Sequence, residues 1–359
     1  MKRFVAIVLA MLMLFCTACS SKSNDSAADK AAENRKNPTV APTPGTEDEP
    51  YVPGDYDPLT GMPVDEPSAL RPFAVMINNI IYAQPQVGTS KAAWIYEIEA
   101  EGGITRMIAV FSDLDDVTSM GSIRSVRPYY LSIARSYDAI LVHAGGSEQA
   151  YSDLASSGYD HLDGVRDDGA SGALFYRDPS RGAHGVEHTL FLYANKVAAY
   201  AESRGMRMEH NGDYSSGLNF ADDAAEQCTG TANNVTVPVT TSKNTSFTYH
   251  SDTGMYTAAQ YGGDYIDGGT NQIVNFANVM VLYTTINMTG DEKGHNEVEV
   301  VGSGTGYFIT GGKYVAIRWS RDNIDSPFSY TLEDGTPLFL SRGATYCCVI
   351  NNGSTVNFG

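Results

Sequence analysis

Four groups of polar side chains in the first half of the chain have the residue types that acid–base or anion-binding chemistry needs. The first surrounds Gly102-Gly103, a dipeptide that accepts positive φ and so marks a tight hairpin between the runs 95–101 and 104–111. With these glycines as the two turn residues, Glu101 faces Ile104 and Glu99 faces Arg106. Side chains alternate along a strand, so this register puts Glu97, Glu99, Glu101 and Arg106 on one face, with neighbouring carboxylates about 6.6 Å apart. Three carboxylates on a buried face are costly unless paired or wet. The face is therefore either solvated, with one cross-strand ion pair worth under about 1 kcal/mol, or supplied with basic groups from elsewhere.

Those basic groups are present in the second feature, Ser122-Ile123-Arg124-Ser125-Val126-Arg127-Pro128. Pro128 suits the first position of a helix, and the N-terminus of a helix offers free N–H groups to an anion. Arg124 and Arg127 add guanidinium forks that match a carboxylate or phosphate. The same arginines can instead pair with the hairpin glutamates and form one buried network. The third feature is His143-Ala144-Gly145-Gly146-Ser147, at a junction from strand to helix, where open α/β sheets bind ligands. His143 and Ser147 have the types of a base and a nucleophile. No G-x-S-x-G elbow surrounds the serine, however, and Ser147 reads more simply as a helix cap. The fourth is His184-Gly185-Val186-Glu187-His188, an H-x-x-E-H string. Gly182 and Gly185 weaken the helix that zinc binding by this string requires, and no third ligand follows. Neither a metal nor a cofactor is expected.

The elements around these groups predict an α+β protein. Strands at 73–78, 95–101, 104–111 and 139–143, with helices at 128–137, 147–156 and 187–204, make a mixed α/β domain over 57–205. Repeated strand–glycine-turn–strand patterns then predict an antiparallel β-sandwich or barrel-like domain over 206–359, acting as a support or partner-binding module.

The start of the chain reads as a signal peptide. Lys2 and Arg3 precede an apolar run over 4–15, too short to span a membrane as a mature helix. Cys16-Thr17-Ala18-Cys19 resembles a lipobox, with cleavage after residue 18 and a lipid on Cys19. A tether over 19–56, poor in apolar residues, is expected to be disordered and to hold the folded part away from the membrane. The chain has 24 basic and 42 acidic residues. Cleavage removes two of the basic ones and no acid, leaving a strongly acidic protein. Phosphate backbones repel such a chain, which argues against nucleic acid as a partner. Cys228 can reach at most one of Cys347 and Cys348, neighbours that point to opposite faces of a strand.

Several strings together resemble the YerB-like lipoprotein family, a domain of unknown function. They are Arg71-Pro72-Phe73-Ala74-Val75-Met76-Ile77-Asn78-Asn79, Pro85-Gln86-Val87-Gly88, Glu101-Gly102-Gly103-Ile104-Thr105-Arg106, the segment 121–130, and His143-Ala144-Gly145-Gly146-Ser147. Asn278-Val279-Met280-Val281 and the Trp319 strand extend the likeness. In that alignment His188 takes the place of a family histidine, without the flanking Pro and Asn. The resemblance implies two domains and a lipoprotein, and supplies no activity.

The leading expectation is a lipid-anchored protein on the extracytoplasmic face of the cell membrane that binds an anionic or amide-rich envelope ligand such as a peptidoglycan fragment. Asn78, Glu97, Glu101, Arg106, Arg124, Arg127, His143, Ser147 and His188 are its candidate site. A cell-wall hydrolase or transferase with Glu101 or His143 as base is one alternative. A structural scaffold for envelope proteins is the other.

Overall fold

The computed structural model describes residues 56–359 apart from 66, 67 and 213. The signal peptide, the lipobox and nearly all of the tether lie outside the described residues. Cys228, Cys347 and Cys348 are free, buried thiols.

The first half supplies β1 (Phe73–Asn79), β2 (Trp94–Glu99), β3 (Thr105–Phe111), β4 (Ile140–His143) and β5 (His161–Asp163). Its main helices are α1 (Pro128–Ser136), α2 (Glu148–Ser157) and α3 (Val197–Ser203). The second half adds β6 (Asn234–Pro238), β7 (Asn244–His250), β8 (Met255–Gln260), β9 (Asn278–Thr284), β10 (Ile286–Met288) and β11 (Asn296–Val298). It ends with β12 (Gly302–Thr310), β13 (Lys313–Arg321), β14 (Ser329–Leu332) and β15 (Thr345–Asn351).

One large mixed sheet runs through both halves in the order β14-β13-β12-β9-β15-β2-β3-β1-β4-β5. Every residue of β1 and of β3 is buried, as a strand covered on both faces must be. On one face Val75, Ile77, Ile95, Met107 and Ala109 share a core with Val235, Val237, Phe247 and Tyr256. These last belong to a second sheet built on β6, β7 and β8. On the other face Ala74, Met76, Tyr96, Ile98 and Ile108 pack with Tyr130, Leu131, Ile133 and Ala134 of α1 and with Ala150 and Leu154 of α2. The result is a mixed α/β protein, mostly strand, with α1 and α2 on one side of the central sheet and the smaller sheet, with α3, packed into the core on the other.

This differs from the expected C-terminal sandwich or barrel. The last long strand, β15, lies between the halves and pairs in parallel with both β2 and β9, so that Thr345 stands opposite Trp94 on one side and Asn278 on the other. From Thr345 to Ile350 β15 is buried throughout, which only a central strand allows. The sheet thus crosses the expected boundary at 205/206 without a break. Arg321 adds a second tie across it. Its guanidinium donates to Ser132 Oγ on α1 at 2.8 Å and to Ser132 O at 2.6 Å.

The helix expected over 187–204 also differs. Leu190–Leu192 forms a strand paired with Met120–Gly121 and Phe175–Arg177, and a helix starts only at Val197. The apolar spacing of Leu190, Tyr193, Val197 and Tyr200 matches a helix, but tertiary pairing of the β-prone Leu190-Phe191-Leu192 overrides it.

Candidate functional site

The strand ends carry the site. β4 and β5 run parallel to β1, and β2 and β15 run parallel to each other. The carboxyl ends of β1, β2, β4 and β5, and the start of antiparallel β3, bring together most of the candidates. The hairpin between β2 and β3 differs from the two-residue turn. Ala100 N–H donates to Ile104 O at 2.8 Å, and Glu101, Gly102 and Gly103 form a three-residue turn. Gly102 and Gly103 have φ of 70° and 73°, a pair that favours glycine. Glu99 therefore stands opposite Thr105, and Arg106 opposite Ile98. A slip of one residue sends side chains to the other face. Glu97 and Arg106 consequently lie on opposite faces of the sheet.

Arg106 belongs to a cluster on the helix-covered face. Glu101, in the turn, pairs with both Arg106 and Arg127. Arg127 grips it with two donors, Nε to Oε2 at 3.1 Å and Nη2 to Oε1 at 2.6 Å. Burial pushes the Glu101 carboxyl up, but the charges of Arg106 and Arg127 outweigh it and hold the group at about 2. Arg124 comes from the same strap as Arg127. It donates to Glu187 O at 3.4 Å and, among the described residues, makes no ion pair with a carboxylate. Burial, and then the charge of Arg106, lower its guanidinium to about 10. Arg106 is 3% exposed, and its Nε and the Nε of Arg124 are both buried without a hydrogen-bond partner.

Asn78, next along β1, stands opposite Arg106. Its amide Nδ2 reaches His188 Nδ1 at 2.9 Å and Ser122 Oγ at 3.2 Å. Donation by the amide leaves His188 Nδ1 as acceptor and its proton on Nε2. Burial, offset in part by Glu187 and reinforced by Arg124, lowers the His188 value, which keeps the ring neutral. The string 184–188 forms two short 3-10 turns around Gly185 instead of a helix. His184 stacks on Tyr82 with ring centroids 4.1 Å apart, and the same Tyr82 ring lies 6.2 Å from that of the inward His188. Glu101, Arg106, Arg124 and Arg127 thus gather at one place, with Asn78, Ser122 and His188 beside them.

Three candidates stay outside this cluster, although Ser147 lines the same cleft as Arg127. Glu97 is fully buried on the opposite face and accepts from five groups. Asn79 Nδ2 at 2.9 Å, Thr105 Oγ1 at 2.8 Å and Lys243 Nζ meet one oxygen, while Thr245 Oγ1 and Tyr346 OH, both at 2.7 Å, meet the other. Burial opposes ionisation there, and Lys243 with its neighbours overcomes it. Glu97 is a sealed structural ion, closed to any ligand. His143 is equally enclosed. Its Nδ1 contacts Gly145 O at 2.8 Å and its Nε2 contacts His161 Nδ1 at 3.0 Å. Burial lowers it to about 4, despite Asp163 nearby. With both ring nitrogens engaged and no exposed surface, His143 is placed as an organiser of the Gly145 turn and not as a base facing solvent. Ser147 Oγ accepts from Ala150 N at 3.2 Å and caps α2.

Lys243, Thr245, His161, Asp163 and Ser122 were not among the sequence candidates. Lys243 lies 146 residues from Glu97, and no local pattern announces such a pairing. Asp163 had a signal, since it ends a parallel strand next to His143 and accepts from Gly145 N at 2.8 Å and Tyr151 OH at 2.6 Å. Among the described residues, no three His, Cys, Asp or Glu side chains are grouped to hold a metal, and no helix is long and apolar enough to cross a membrane.

Comparison with known proteins places this architecture. Residues 59–207 match the family described as "Protein of unknown function (DUF3048) N-terminal domain", and residues 235–347 match its C-terminal domain. The chain is 30% identical over 271 residues to a Bacillus subtilis (strain 168) protein named "Putative lipoprotein YerB", covering 74% of this chain and 78% of the other. The crystal structure of YerB from Bacillus subtilis superposes with a TM-score of 0.71 at 26% identity, over 84% of this chain and 99% of that one. Both halves of the molecule, joined through one sheet, are those of a single family, and the chain belongs to the DUF3048 protein family.

Proposed function

We propose that this protein is a lipid-anchored extracytoplasmic protein that binds a carboxylate or phosphate of a cell-envelope molecule at Arg124 and Arg106. The observation that carries the reading is charge imbalance. Three guanidiniums, Arg106, Arg124 and Arg127, converge on a place where Glu101 pairs with two of them, while Arg124 pairs with no carboxylate among the described residues and feels Glu187 and Glu101 only at a distance. Two buried Nε donors there have no acceptor. Arg106 and Arg127 are buried and Arg124 is only partly so, which makes Arg124 the guanidinium an anion from solvent would meet first. Glu101 holds Arg106 and Arg127 in place, while Asn78 and His188 supply neutral polar contacts at the edge. The lipobox at Cys19 and the name of the Bacillus relative support the anchor.

The test is calorimetric titration of the purified protein with inorganic phosphate, pyrophosphate and a soluble peptidoglycan peptide, beside Arg124→Ala. At least one of these anions should bind the natural protein, and Arg124→Ala should weaken that binding by ten-fold or more with little change in melting temperature. Unchanged affinity in Arg124→Ala would remove the basis of this reading. A large fall in melting temperature with no anion bound by either protein would leave a structural scaffold instead.

A further inference from the structure

The surroundings of the arginine cluster specify more than an anion. Ten large apolar side chains are exposed among the described residues, and single exposed ones carry no meaning. Four of them belong to segments that supply or adjoin this cluster. Ile81 and Tyr82, 52% and 51% exposed, follow β1 directly, two and three residues beyond Asn79. The Tyr82 ring stacks on His184 and lies 6.2 Å from the His188 ring that meets Asn78. Val186, 64% exposed, precedes Glu187, whose carbonyl accepts from Arg124. On the other side, Val165, also more than half exposed, reaches the Gly145 turn where Ser125 sits, and Ser125 O accepts from Arg106 Nη1 at 3.4 Å. Largely exposed apolar side chains therefore lie beside buried cationic donors with no acceptor.

We infer that the ligand is an acidic amphiphile: a phosphate or carboxylate head seated on Arg124 and Arg106, with its hydrocarbon chain lying over Ile81, Tyr82 and Val186. This inference rests on the anion-binding reading and adds the tail. The charge argument selects a head of one sign, and the apolar frame selects a chain beside it. A hydrocarbon chain binds more tightly with each CH₂ group that it withdraws from water. A tail that covers a half-exposed frame on one side only should still strengthen binding by ten-fold or more.

The experiment compares ethyl phosphate with octyl phosphate, below its micelle concentration, on the full chain. The variants are Ile81→Ser/Val186→Ser, both at exposed positions, and Arg124→Ala. The inference expects octyl phosphate to bind the natural protein at least ten-fold more tightly than ethyl phosphate. That ratio should fall to about two-fold or less in the double serine variant, with ethyl phosphate affinity unchanged, and Arg124→Ala should weaken both ligands. Equal binding of the two phosphates by the natural protein overturns the amphiphile while leaving the anion site intact. Octyl phosphate binding that survives Arg124→Ala also overturns it, as an apolar contact without the head. If neither phosphate binds, the amphiphile is overturned, and the anion reading stands or falls on the titration with the peptidoglycan peptide. Adsorption to phosphatidylglycerol vesicles that octyl phosphate cannot compete away would assign the apolar frame to a membrane surface and overturn the seated ligand.

Discussion

Glu97→Gln is the substitution with the largest consequence expected from this structure. The carboxylate is fully buried and satisfies five donors drawn from β1, β3, β7, β15 and Lys243. An amide in its place keeps one acceptor oxygen and turns an NH₂ toward groups that are themselves donors. Lys243, 5% exposed, then loses its only carboxylate among the described residues. Breaking one side of a buried ion pair costs about 3–5 kcal/mol, a large share of a total stability that is typically about 5–15 kcal/mol. At about 2 °C per kcal/mol for a folded unit of this size, the melting temperature should fall by roughly 6–10 °C. Chemical denaturation of the purified protein measures the free energy directly, and a double-mutant cycle with Lys243→Met isolates the pair. Each single change should be costly, and the double should cost less than the sum, because it leaves no uncompensated ion. Losses under about 1 kcal/mol for both singles, or strict additivity, would refute the view that Glu97 is a sealed ion joining the halves.

Acid should weaken the fold in two steps. His143 is held at about 4 against an ordinary 6.5, so it stays neutral in the fold while the unfolded chain takes up a proton. Its contribution is full above pH 6.5 and is lost as pH falls to 4, by up to about 3 kcal/mol. Glu101, held at about 2 against 4.5, adds a loss as pH falls from 4.5 through 2. Urea denaturation at pH 7 and pH 4.5 should show the first step, and His143→Gln should reduce the slope between those values. Ser147→Ala should cost about 1 kcal/mol through the lost cap and leave anion affinity unchanged, as thermal melts and titration will show. Cys19→Ser should move the protein from the membrane fraction to the soluble fraction on cell fractionation.

Local signals in this sequence were reliable where a few adjacent residues decide the outcome. Pro128 opens α1, Ser147 caps α2, and the buried run 140–143 is a strand. The signals failed where a distant segment decides. Tyr346-Cys347-Cys348-Val349-Ile350 reads equally well as the last strand of a sandwich or as the middle strand of a sheet. Only its two partners, β2 and β9, separated from each other by about half of the chain, distinguish the two. Leu190-Phe191-Leu192 was drawn out of a helix by partners 70 and 15 residues earlier. The arginine–glutamate association was legible because opposite charges near one turn must find each other. The burial of Glu97 was not, because Lys243 sits in a loop whose sequence gives no direction.

The register of a single turn explains how one expected carboxylate row became two separate devices. A two-residue Gly-Gly turn keeps Glu101 in the strand, on the face of Glu97. The observed turn releases Glu101 from the strand, so its carboxylate meets Arg106 and Arg127 on the helix-covered face while Glu97 meets Lys243 on the other. Glu97 and Glu101 then lie on different faces, and the charge balance around the two differs. Lys243 neutralises Glu97. Glu101 answers only part of the charge of Arg106, Arg124 and Arg127, which leaves local positive charge on a chain whose formal net charge is −18. At physiological salt, charge is screened beyond about 8 Å, so an approaching anion meets repulsion or nothing until it reaches the cluster itself. Binding at this site must therefore draw on contact with the guanidiniums and their apolar frame, and not on long-range attraction. Its association rate should accordingly stay the same or rise slightly as salt is added, the opposite of a steered encounter.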